Sequence, residues 1–191
     1  MTHPDVIDHL VGIVPGSRLD AVRAQRAQAR DNAQASYLAL FHPAEPGDVS
    51  LVERYAVAVF VAGLHRQPAI QTFYAAGLSA RPALPVMLEA EIVRGATAGP
   101  YGAYPEGPLS AEDKDGPVFT AITAVGPRLA AALAHAHMLV FHPRDASADA
   151  LRRLEAAGWS ATGIVTLSQL VAFLSFQIRV IVGLRALAEA N

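Results

Sequence analysis

Residues 50–78, SLVERYAVAVFVAGLHRQPAIQTFYAAGL, decide how this chain is read. Ser50 and Glu53 have the spacing of a capping box, in which a hydroxyl and a carboxylate satisfy first-turn amides. Ala56, Val59, Phe60 and Gly63 then recur at helical spacing, which predicts a helix with one face in a core. Pro68 cannot continue that helix but suits the first turn of the next. The stretch reads as helix, tight His65-Arg66-Gln67 junction, helix.

Working outward, 191 residues suit one domain or two small intertwined halves. A hydrophobic content of 52% with mean hydropathy +0.29 predicts apolar surface buried between subunits, hence a homo-oligomer. A net charge of −2 gives no footprint for nucleic acid or an anionic membrane. No cysteine is present, so disulfides and thiolate metal sites are excluded. The first residues lack the pattern of a signal peptide, and a cytoplasmic location is expected. Residues 164–187 approach a membrane span in length. Gln169, Gln177, Arg179 and Arg185 interrupt them, so a buried or interface helix is expected, with no membrane partner.

Residues 1–16 read as an irregular arm, and Ser17 as the cap of one helix running to about Phe41. Arg18, Arg23, Arg26 and Arg30 read as a solvated face of that helix. Phe41-His42-Pro43 recurs one hundred residues on as Phe141-His142-Pro143. The repeat fits two similar helical halves, and equally a proline stop used twice. The halves would span about 17–96 and 118–191, joined by the Gly- and Pro-rich loop 97–117, where Tyr101 and Tyr104 offer packing anchors or a pocket cover. Residues 118–141 are expected to be helical with a break at Gly126-Pro127. His135 and His137 point about 200° apart on a helix, so no metal site is expected. Ser147 starts a short helix ended by Gly158, and Ser160 caps the last and longest one, to about Ala188. The expectation is an all-α domain of about six to eight helices, with the 50–78 hairpin packed on the last.

The hairpin resembles that of the alkylhydroperoxidase-like (AhpD-like), carboxymuconolactone decarboxylase-like family. The run from RDASADALRRLEAAGWS through LSQLVAFLSFQIRVIVGL is similar to the second half of that family's peroxidase-related branch. Together they cover residues 36–187 and imply an AhpD-like helical fold, commonly built into trimers or hexamers beside the generally common dimer. Redox members carry a glutamate, a Cys-x-x-Cys pair and a histidine. Anchored on Arg54 and Ala56, the resemblance puts Tyr55 in the glutamate slot, Gln67 and Ile70 in the cysteine slots and Tyr74 in the histidine slot. Sliding it by two brings Glu53 onto the acid and leaves His65 and Pro68 for the thiols, with Thr72 at the histidine. Neither register restores a dithiol, and thiol peroxidase chemistry needs the thiolate.

Three functions remain. The first is a catalytically silent ligand-binding or accessory protein, its pocket lined by Gln67, Ile70, Phe60, Phe73 and Phe173. The second is a cysteine-independent acid–base enzyme, decarboxylase- or isomerase-like, in which His65, Tyr55 and Tyr74 move protons. The third is a structural subunit, including one paired with an active paralogue. Against catalysis stands a plainer account, in which the tyrosine rings fill space and His65 caps the helix end. No cofactor is expected.

Overall fold

Ser50 Oγ accepts the Glu53 amide at 3.3 Å, and the Glu53 carboxylate accepts the Ser50 amide at 2.8 Å, closing the expected capping box. The computed structural model describes residues 4–190 (Thr123 by its backbone alone) and is all-α. Among those residues are nine α-helices: α1 (Val6–Val11), α2 (Arg18–Ala24), α3 (Ala27–Phe41), α4 (Leu51–Leu64), α5 (Pro68–Ala75), α6 (Leu84–Gly95), α7 (Pro127–Phe141), α8 (Ala148–Ala156) and α9 (Ala161–Glu189). No strand occurs among them, only an isolated bridge between Gly102 and Lys114.

Helix α4 is the axis. Every residue from Ala56 to Leu64 is buried, as its all-round apolar sequence requires, and α5, α6, α7 and α9 pack around it. The predicted contact of the hairpin with the last helix is present, through a face of α9 that buries Leu167, Leu170, Val171, Leu174, Ile178 and Ile181. Arg54 is buried and holds the loop before α4, donating to the carbonyls of Leu40 (2.8 Å), Val49 (3.0 Å) and Pro46 (2.6 Å).

Four expectations are corrected. Residues 1–16 are not all irregular: Asp5 caps α1, whose Val6 and Ile7 are buried against the core. The single helix to Phe41 breaks at Gln25-Arg26, giving α2 and α3. Arg18 and Arg26 are exposed as expected, but Arg23 is buried and grips Asp5 and Asp8 at 2.8–2.9 Å, while Arg30 pairs with Asp8 and Asp20. Asp5 caps α1, Asp8 lies on it and Asp20 lies on α2, so Arg23 and Arg30 form an internal clamp. Residues 118–122 are extended rather than helical. Phe119 and Ala121 are buried while Val118, Thr120 and Ile122 face out, the period-two pattern of an extended segment. Phe119 thereby reaches both Phe60 (5.4 Å) and His137 (4.9 Å).

The Phe-His-Pro repeat has a structural counterpart. Both copies end a 15-residue helix with nearly the same backbone, φ −133° and ψ 41° at His42, φ −129° and ψ 46° at His142. Their surroundings differ, because the 97–117 loop folds over the second copy only. Tyr101 packs at a tilt against His142, ring centres 5.0 Å apart, and the Arg144 guanidinium lies 3.6 Å from the centre of the Tyr104 ring. Both tyrosines thus act as packing anchors. Arg128 joins α7 to the hairpin: it donates to Glu53 at 2.6 Å, to the carbonyls of Asp48 and Gly158, and stacks on Trp159 at 4.0 Å. Gly158 has the expected left-handed backbone (φ +89°), and the Trp159 amide returns to Leu154 O.

Candidate functional site

The junction between α4 and α5 is a Schellman turn. The Arg66 amide bonds to Gly63 O at 2.8 Å and the Gln67 amide to Ala62 O at 3.0 Å, with Arg66 in the left-handed region at φ +56°. The backbone itself therefore closes the end of α4. The His65 side chain is not needed as a cap, and its Nε2 is buried without a hydrogen-bond partner.

His65 opens instead onto a cleft of about 670 Å³ between α7 and α9. Its floor is one face of α9, where Ser168, Val171, Ala172, Ser175 and Arg179 stand three, four, seven and eleven positions along. Leu139 and Val140 form an apolar wall, and Ala98-Gly99-Pro100 at the start of the long loop forms a rim. Arg179 is exposed and makes no ion pair or side-chain hydrogen bond among the described residues. Burial, with the Arg179 charge adding to it, pushes the His65 pKa below its ordinary value of 6.5. At neutral pH the imidazole is uncharged, beside a cation that is free to take an anion.

The other expected site residues are not gathered around this opening. Tyr74 is fully enclosed, and its hydroxyl donates to Gln177 Oε1 at 2.5 Å. Burial drives its pKa far up, as it does less strongly for Tyr55. Tyr55 is half-buried under Phe41 at 5.2 Å and lies against Gly77, where a β-carbon would come within 2.4 Å of its ring. Phe60 and Ile70 are core residues with no exposure. Phe73 packs among Tyr37, Tyr74 and His9. Gln67 lies at the start of α5 and makes only a long contact to His65 O, 3.5 Å. Phe173 is buried in α9. Of these residues His65 alone lines the cleft, because the aromatic rings fill the space beside Tyr74.

The residues the sequence reading missed are Ser168, Ser175 and Arg179. Their signal was present as polar residues at seven and four positions' spacing inside an apolar helix, with one arginine among them. No group of three or more His, Cys, Asp or Glu suited to a metal occurs among the described residues. The side chains offer an anion anchor, a neutral imidazole and hydroxyls, which is equipment for binding a small carboxylate and for moving a proton on it. Compared with protein-family models, curated proteins and solved structures, the chain matches none.

Proposed function

We propose that this chain binds a small organic anion with an apolar body in the α7–α9 cleft, on an AhpD-like scaffold that lacks the redox dithiol. The observation that carries the reading is the pairing of an unpartnered His65 Nε2 with an unpaired Arg179 in one cleft of suitable volume. Arg179 recognises the carboxylate, His65 and Ser175 complete its hydrogen bonds, and Leu139, Val140 and Val171 hold the body. The all-α hairpin and the recurring Phe-His-Pro helix end support the scaffold reading. Benzoate and its neutral isostere benzamide test the proposal by calorimetry. Benzoate should bind about tenfold or more tightly, and Arg179→Gln should remove that preference. Equal binding of the two by the unaltered protein defeats it.

A second reading is acid–base catalysis on the bound anion, favoured by the neutral state in which His65 is held. In that case His65→Ala abolishes turnover while benzoate still binds. Self-association belongs to the same proposal. Val165 and Phe176 are 56% and 45% exposed on the α9 face that forms the cleft floor, and a second copy seated there would bury them. Light scattering of the unaltered protein and of Phe176→Glu tests this; a monomer at micromolar concentration in both would rule it out.

A further inference from the structure

A second cleft of about 580 Å³ lies on the other flank of α7, between that helix, the extended segment 118–121 and α8. Its surface is mainly apolar: Ala130, Ala131, Ala134 and Met138 from α7, Leu154 from α8, and Phe119. Phe119 and His137 stack nearly parallel, 4.9 Å apart with 24° between planes, and form a flat aromatic side. Val118, Ile122 and Leu151 add apolar exposure nearby, Val118 at 86%.

Three histidines border this space, and their hydrogen bonds differ. His142 uses both ring nitrogens, Nδ1 toward Asp145 and Nε2 toward Pro117 O, each at 3.0 Å. His137 donates from Nε2 to Gly95 O at 3.0 Å. His135, only 6% exposed, has Nε2 at 3.0 Å from Ser168 Oγ, and its Nδ1 is buried with no partner. The direction of that bond follows from proton counting. Ser168 has one hydroxyl hydrogen and gives it to Ile164 O at 2.9 Å, so the imidazole must donate to the serine. A neutral ring with its hydrogen on Nε2 leaves Nδ1 as an acceptor, and burial favours the neutral ring. A buried acceptor without a donor is costly, and a ligand that supplies the donor recovers that cost.

We propose that this cleft is a second ligand site, taking a neutral, largely apolar, planar molecule against the Phe119–His137 face, whose hydroxyl donates to His135 Nδ1 once a small turn of that ring brings the enclosed nitrogen to the cleft. It differs from the first site in chemistry. That cleft offers a free cation, whereas this one offers alanines, an aromatic face and a histidine acceptor enclosed just behind them.

Phenol and toluene, which differ by one hydroxyl, serve as probes on the full chain, followed by long-range ¹H–¹⁵N spectra of the histidine side chains. Phenol should bind about tenfold more tightly than toluene and shift the His135 Nδ1 resonance. Saturating benzoate should leave phenol bound. Ala134→Phe, which fills the cleft, should abolish binding of both probes. His135→Leu should keep toluene binding and erase the preference for phenol. Equal affinities, an unmoved Nδ1 resonance, displacement by benzoate, or unchanged binding in Ala134→Phe would each overturn the proposal. The measurements on the unaltered protein decide it even if a variant fails to fold.

Discussion

Replacing Tyr74 by Phe separates a structural from a catalytic role at the position where the family resemblance expects a histidine. The hydroxyl is enclosed and donates to Gln177 Oε1 at 2.5 Å. Gln177 is itself fully buried and its Nε2 already lacks a partner, so the change leaves the whole amide unpaired. Removing one partner of a buried hydrogen bond costs about 1–3 kcal/mol, and this geometry puts the loss near the middle, about 2 kcal/mol. For a chain of this length that lowers the melting temperature by about 4–8 °C. The ring contact with Phe41, at 4.9 Å, survives the substitution. Adding Gln177→Leu removes the stranded amide, so the double variant should recover most of the loss, a coupling that a mutant cycle measures directly. Thermal unfolding is run beside benzoate titration. Unchanged melting together with lost benzoate binding would refute the argument and restore Tyr74 to the site.

Other outcomes follow from single contacts. Arg66→Gly should raise the melting temperature by about 2 °C, since only glycine takes the left-handed turn without strain. Gly77→Ala should lower it by several degrees, because the new β-carbon meets the Tyr55 ring at 2.4 Å and forces repacking. Arg128→Ala should weaken the fold measurably in urea, with Arg128→Lys rescuing little, because the lysine lacks the fork that reaches Glu53 and two carbonyls at once. Acid should destabilise the chain through its histidines. His65, His135 and His137 all have pKa values pushed below 6.5 by burial, so the unfolded chain takes up protons first. Their contribution is present above about pH 6.5 and is lost as pH falls through and below that value, which urea titrations between pH 7.5 and pH 5 would show.

Local chemistry was legible in the sequence wherever it acts within a few residues. The Ser50–Glu53 box, the Pro68 start of α5, the Gly158 turn and the Ser160 cap of α9 were all readable, because each depends on bonds that close inside one turn. The absence of cysteine settled the exclusion of thiol chemistry before any fold was known. Contacts between distant segments were not legible. Arg23 looks like a wet helix residue until α1 brings Asp5 and Asp8 to it. The 118–122 segment hid its period-two pattern behind short length and a following helix. His65 shows the division most clearly. Its place at the end of α4 could be read from Pro68 and the capping box, and a helix-end histidine suggests a cap. Only the backbone turn at Arg66, which satisfies those carbonyls without it, and the approach of α9 from more than one hundred residues away decided that it lies beside Arg179 at the edge of a cleft instead. Periodicity specifies which face of a helix is apolar; which other helix covers that face, and where a gap remains, depends on packing the whole chain at once.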